Sequence, residues 1–86
     1  MTDPVVYLLR CADGSLYCGW TTDLARRLGQ HQRGVASRYT RRRLPVTVAW
    51  SSPVRDRSHA LRTEAAIKRL PRREKLDLIA GVASPP

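Results

Sequence analysis

Val5-Val6-Tyr7-Leu8-Leu9-Arg10-Cys11-Ala12-Asp13-Gly14-Ser15-Leu16-Tyr17-Cys18-Gly19-Trp20 decides the fold, because it reads as two apolar, β-prone runs on either side of an Asp-Gly turn. If Ala12, Asp13 and Gly14 form a three-residue loop with Gly14 in the left-handed conformation, the register pairs Leu9 with Tyr17 and Tyr7 with Gly19. Both tyrosines then share one sheet face. A two-residue Asp-Gly loop would slip the register by one and send the phenols to opposite faces, since side chains alternate along a strand. The three-residue loop is preferred. It also gives Gly19 a role, because a residue without a side chain opposite Tyr7 leaves open space where a substrate backbone can approach.

Working outward, Val5 to Arg10 reads as a buried strand and Ser15 to Trp20 as its hairpin partner. Thr21, Thr22 and Asp23 are N-cap candidates for a helix running to about Arg33, which Gly34 terminates. Val35 to Leu44 is a polar, basic loop closed by Pro45. A third strand spans Val46 to Trp50 and is broken by Ser51, Ser52 and Pro53. A second helix starts near Asp56 or Ser58 and stops at Leu70 because Pro71 cannot continue it, and a short third helix runs from about Arg72 to Ala80 with Gly81 as its stop. The order is β-β-α-β-α-α, an α/β (α+β) domain over residues 1–81, with 82–86 as a frayed tail.

The chain has 86 residues, which suits one small domain with a modest core. No apolar run is long enough to cross a bilayer, and Met1-Thr2-Asp3-Pro4 lacks the basic start and apolar stretch of a secretory signal, so a cytoplasmic protein is expected. Cys11 and Cys18 have no metal-type spacing and are expected as free thiols. The formal net charge of +9 comes from 16 Lys and Arg against 7 Asp and Glu, and Lys68 and Lys75 are the only lysines. Guanidinium groups grip phosphate oxygens in pairs and release condensed counterions, so nucleic acid is the natural partner. An arginine-rich compositional bias, or an acidic protein or lipid partner, would give the same totals. The spread of arginines over several elements, with no dominant basic amphipathic helix, favours a nucleic-acid strand and no membrane.

On a helical wheel with Leu24 at the origin, Leu28 falls about 40° to one side and His31 and Arg27 about 20° and 60° to the other. Arg27 and His31 therefore stack along one edge of the helix where it meets the sheet. They read either as part of a site or as an amphipathic arginine beside an ordinary hydrogen-bonded histidine. Glu64 falls on the arc that holds Ala60, Leu61, Ala65 and Ile67, the face expected to pack on the sheet. It reads either as an i, i+4 partner of Lys68 or as a ligand for Mg2+ or a similar divalent cation such as Mn2+, which takes carboxylate oxygen and keeps several waters. Ser37-Arg38-Tyr39-Thr40-Arg41-Arg42-Arg43 combines an aromatic with clustered guanidiniums, suited to stacking a base and gripping phosphates, or simply to solvation. His59 has no assigned role.

Val5-Val6-Tyr7, then Tyr17-Cys18-Gly19-Trp20-Thr21, then Asp23-Leu24-Ala25-Arg26-Arg27-Leu28 with His31, resembles the GIY-YIG nuclease superfamily, and within it the small stand-alone bacterial YhbQ-like group. The likeness spans roughly Val5 to Ile79 and continues through Gly34, Tyr39-Thr40, Pro45 and the helix of Glu64 and Lys68. The core is similar to the nicking domain of the excinuclease and to the catalytic part of structure-specific junction endonucleases. Val5-Val6 replaces Gly-Ile, Cys18 replaces the middle Ile, and the chain has no Asn, a residue that many members use late in the site. The resemblance implies a three-stranded antiparallel sheet flanked by helices and a one-metal hydrolysis of phosphodiester bonds. In that scheme Tyr7 is the general base, its pKa lowered by Arg27 and the metal, with Tyr17 hydrogen-bonded nearby, and which of the two tyrosines is the base stays open. Arg27 holds the scissile phosphate, His31 contacts the phosphate or leaving group, and Glu64 holds magnesium. Gly19, Arg38, Tyr39, Thr40, Arg41, Arg42 and Lys68 are the nucleic-acid contacts. Three functions stay open: an endonuclease on branched, nicked or single-stranded DNA, a nucleic-acid-binding protein with little turnover, and a basic module in a repair or RNA-containing complex. Monomer and homodimer are both open, as is the need for a protein partner.

Overall fold

A computed structural model describes residues 3–86; Met1 and Thr2, part of the N-terminal stretch read above, lie outside them. Three strands, β1 (Val5–Arg10), β2 (Leu16–Thr21) and β3 (Thr47–Pro53), form one sheet in the order β2-β1-β3, with antiparallel pairing on both sides of β1. Four helices complete the described residues: α1 (Leu24–Gln32), α2 (Arg38–Arg41), α3 (Arg57–Arg69) and α4 (Arg72–Ala80).

The hairpin takes the register that the three-residue loop requires. Leu9 pairs with Tyr17 and Tyr7 with Gly19, and Gly14 adopts φ 84°, a conformation only glycine enters at little cost. Asp13 braces the turn by accepting hydrogen bonds from the Ser15 amide and hydroxyl at 3.0 and 2.6 Å.

Helices cover both faces of the sheet, so the central strand is buried on both. Val6, Leu8 and Cys18 pack with Val54, Ala60, Ile67 and Leu78 on the face of α3 and α4. Tyr7, Leu9, Cys11 and Val46 pack on the other face with Leu24 and Leu28 of α1. Two caps fix the helices against this sheet. Asp23 accepts from the Arg26 amide and Asp56 from the His59 amide, each satisfying a donor left open at a helix start. Gln32, in the last turn of α1, accepts from the Val46 amide and donates to its carbonyl, tying that helix to the entry of β3. His59 has a local role: its Nδ1 accepts from the Arg55 amide at 3.0 Å.

The elements differ from the sequence reading in several places. Thr21 belongs to β2, leaving Asp23 alone as the cap. β3 runs on through Ser51, Ser52 and Pro53, which pair with Tyr7, Val6 and Val5; polar residues and a terminal proline are tolerated because β3 is an edge strand. The basic loop contains α2, one helical turn started by Ser37, whose hydroxyl accepts from the Tyr39 and Thr40 amides. The tail beyond α4 has no regular structure, although the Val82 and Ala83 amides both donate to the Asp77 carbonyl.

Candidate active site

Tyr7 sits on the central strand with its ring laid across Gly19. A Cβ placed on Gly19 would stand 2.6 Å from the Tyr7 hydroxyl oxygen and 2.7 Å from Cζ. The missing side chain therefore makes room for the phenol and not, as the sequence suggested, for a substrate backbone. Because β2 is the outer strand, the phenol reaches over it toward the open edge of the sheet.

The hydroxyl of Tyr7 lies 2.9 Å from His31 Nε2, and the other ring nitrogen, Nδ1, lies 2.8 Å from Thr40 Oγ1. His31 is 1% exposed and Tyr7 3%. With both nitrogens engaged inside the protein, His31 is not placed to touch a phosphate or a leaving group; the helical wheel put it beside the apolar stripe, and it has gone into the core. Thr40 is likewise fully buried, so it supports the histidine and does not reach nucleic acid. Its partner nine positions away on another element leaves no spacing signal in the sequence.

Burial is the main cause that holds the Tyr7 phenol well above the usual range; Tyr17 adds to it, and Arg27 acts in the opposite direction without prevailing. The expected lowering by Arg27 is there, but burial outweighs it. Burial also holds His31 below its ordinary value, with Arg27 second, so the imidazole is neutral at pH 7. Arg27 is on α1, one turn before His31, and is felt by both groups. No carboxylate pairs with it among the described residues. An open groove beside it is lined by Thr21, Thr22, Asp23, Arg26 and Gln30; neither tyrosine nor Glu64 lines that groove.

Tyr17 stands edge-on to His31, with ring centroids 5.4 Å apart, and stacks on Tyr39 at 5.8 Å. The Arg43 guanidinium lies 3.8 Å from the Tyr39 ring centre, donates to the Tyr39 carbonyl at 2.9 Å and pairs with Asp13 at 3.1 Å. Tyr39 is thus already engaged within the protein, which limits the base-stacking role read for it, while Arg38, Arg41 and Arg42 are exposed on α2 and its cap.

Glu64 lies on α3, on the far side of the sheet from α1, yet its charge reaches both Tyr7 and Cys18. The Cys18 thiol is pushed up to about 12, by burial first and then by Glu64. Glu64 pairs with the exposed Lys68 at 3.6 Å, and its side chain is 21% exposed. Leu61, the residue from which that helix face was measured, is 46% exposed. The buried positions are Ala60, Thr63 and Ile67, whose centre lies about 70° from Glu64. The acid therefore flanks the packed face and keeps a route to water. Glu74 and Asp77, the acidic residues of α4, make no ion pair among the described residues. Nor is there any group of three or more His, Cys, Asp and Glu side chains able to enclose a metal among those residues. No helix among them is long and apolar enough to cross a membrane.

The GIY-YIG catalytic domain model matches residues 3–77. The chain is 47% identical to a UPF0213 protein of Cronobacter sakazakii, over 94% of this chain and 85% of that protein. It is 48% identical to the UPF0213 protein YhbQ of Escherichia coli, over 96% and 83%. The solution structure of the UPF0213 protein BH0048 of Bacillus halodurans superposes with a TM-score of 0.59 at 38% identity, covering 92% of this chain and 84% of that one. The match over residues 3–77 shows the family: the chain belongs to the GIY-YIG family, with the nuclease-type catalytic domain of that family.

Proposed function

We propose that the protein is a metal-dependent endonuclease that hydrolyses phosphodiester bonds in DNA, acting in the cytoplasm. One observation carries the reading: the Tyr7 hydroxyl is in hydrogen-bond contact with the buried imidazole of His31. A phenol with a pKa near 10 is a poor base at pH 7. A neighbouring acceptor that takes its proton as it receives one from water removes that difficulty. Tyr7, not Tyr17, has such an acceptor, so Tyr7 is the base. Arg27, unpaired and close enough to influence both Tyr7 and His31, holds the scissile phosphate and neutralises charge that builds up on it. Tyr17 buttresses His31 edge-on. Arg38, Arg41, Arg42 and Lys68 grip flanking phosphates.

Glu64 supplies one hard oxygen donor with access to water. That fits a cation such as Mg2+, which binds through one or two carboxylates, waters and substrate phosphate. When bound, the ion polarises the phosphoryl oxygen and stabilises the departing 3′ oxygen.

Purified protein with Mg2+ is expected to cut at least one of a panel of nicked, branched and single-stranded DNAs. Glu64→Ala should abolish cutting and leave DNA affinity unchanged. A Glu64→Ala protein that nicks at the wild-type rate refutes the assignment. The Glu64–Lys68 pair favours a second reading, a DNA-binding protein with little turnover, in which the acid merely balances the lysine; no cutting across the panel at any Mg2+ or Mn2+ concentration would select it.

A further inference from the structure

Hydrogen atoms can be placed around His31 by counting donors and acceptors. The Thr40 hydroxyl lies 3.4 Å from the Ser37 carbonyl oxygen and 2.8 Å from His31 Nδ1. Suppose that Nδ1 carries the ring proton. It then donates to Thr40, Thr40 donates to Ser37, and Tyr7 donates to the bare Nε2, so every hydrogen has an acceptor within the protein. Suppose instead that Nε2 carries it. Thr40 then donates to Nδ1 and Nε2 donates to Tyr7, so the hydroxyl hydrogen of Tyr7 has no acceptor in the protein among the described residues and can go only to water, an arrangement in which the phenol cannot pass a proton on to His31.

We infer that Thr40, backed by the Ser37 carbonyl, is a positioning residue that locks His31 in the Nδ1–H tautomer and so turns its free lone pair toward Tyr7. The relay runs Tyr7 to His31 to Thr40 to Ser37. Thr40 sits on the one-turn helix that Ser37 itself starts, so this helix has a use beyond carrying arginines. The inference rests on the endonuclease reading for its consequence. During hydrolysis, the water oxygen bonds to phosphorus as its proton passes to the Tyr7 oxygen and the phenol proton passes to His31 Nε2. The P–O3′ bond breaks, and the 3′ oxygen takes a proton from solvent. The imidazolium then loses its Nε2 proton through Tyr7 to water, a release that the buried setting of His31 favours.

The direct test is the two-bond 1H–15N correlation spectrum of the labelled protein at pH 7.5. With two histidines in the chain, a His59→Gln variant assigns the remaining signals to His31. The Nδ1–H pattern is expected in the wild type, and the Nε2–H pattern would overturn the inference without any core variant being needed. Thr40→Val should lose the single-tautomer pattern and slow nicking at least tenfold at unchanged DNA affinity, with Thr40→Ser restoring both. A folded Thr40→Val protein that keeps the pure Nδ1–H pattern overturns the role of Thr40. Loss of the pattern in Thr40→Val, with no DNA cut even by the wild type, sustains the tautomer lock and removes the nuclease reading alone.

Discussion

Gly19→Ala is the most discriminating single substitution in this protein, because two accounts of Gly19 give opposite results. Its Cβ would stand 2.7 Å from Tyr7 Cζ, against a carbon–carbon optimum of about 3.5–4.0 Å, so the ring must move by roughly 1 Å. The phenol is not free to do so. Its hydroxyl is held at 2.9 Å by His31, and its ring packs with Leu9, Cys11 and Val46. Overpacking of this kind costs about 1–3 kcal/mol, and a displacement that breaks the Tyr7–His31 bond adds about 1–3 kcal/mol. Alanine recovers about 0.5–1 kcal/mol of the backbone entropy that glycine loses in a strand. The expected net destabilisation is about 2–4 kcal/mol, out of a total on the order of 5–15 kcal/mol. For a domain of this size each kcal/mol lowers Tm by about 4–8 °C.

The assay is urea unfolding of a double-mutant cycle with Tyr7→Leu, which removes Cζ and the hydroxyl but keeps apolar bulk. Gly19→Ala should cost less than about 0.5 kcal/mol in the Tyr7→Leu background, giving a coupling of about 2 kcal/mol or more between the sites. An equal cost in both backgrounds refutes the packing argument. Weaker DNA binding with unchanged stability would instead favour the account in which the gap at Gly19 admits substrate.

Stability should fall on both sides of neutrality. His31 stays neutral in the fold, below its ordinary 6.5, so its contribution is present above about pH 6.5 and is lost as the pH falls and the unfolded chain takes up the proton; urea midpoints at pH 5 and 7.5 should converge in His31→Gln. The Cys18 thiol, raised from 9.0 to about 12, and the raised Tyr7 phenol oppose ionisation, so stability should also decline above about pH 9, and Cys18→Ala should delay that decline. Arg43→Ala removes the Asp13 pair, the bond to the Tyr39 carbonyl and the guanidinium over the Tyr39 ring, and should destabilise by about 1–2 kcal/mol in thermal melts. Replacing Arg38, Arg41 and Arg42 by alanine should flatten the dependence of log affinity for duplex DNA on log salt by about 2–3 units, whereas an unchanged slope would remove them from the interface.

What the sequence showed and what it concealed divide along a physical line. The hairpin was legible because Asp13-Gly14 leaves few turn geometries, and one register aligns Tyr7 with Gly19. The helix stops were legible because Pro71, Gly34 and Gly81 act on their own backbone, with the two glycines at φ 77° and 78°. The depth of His31 was not. Its place about 20° from Leu24 already put it near the core, but its acceptor comes from a loop whose position depends on tertiary packing. Periodicity likewise misjudged α3. Leu61 is hydrophobic and exposed while Thr63 is polar and buried, so an arc that counted Leu61 in and Thr63 out turned Glu64 into the core when it lies at the flank.

The charge of Arg27 lowers both pKa values in the Tyr7–His31 pair, that of the phenol and that of the imidazole. Lowering the phenol helps it to give up its proton, while lowering the imidazole hinders it from accepting one, so a single cation cannot drive the transfer by acting on both. The difference between the two groups decides it. A phosphate bound to Arg27 would partly neutralise that cation at both groups, raising the proton affinity of Nε2 and of the phenol alike. On the proposed reading Arg27 therefore serves by holding the phosphate and not by tuning the base, and Arg27→Lys, which keeps the charge but cannot make the paired phosphate contact, should lose cutting rate more than binding.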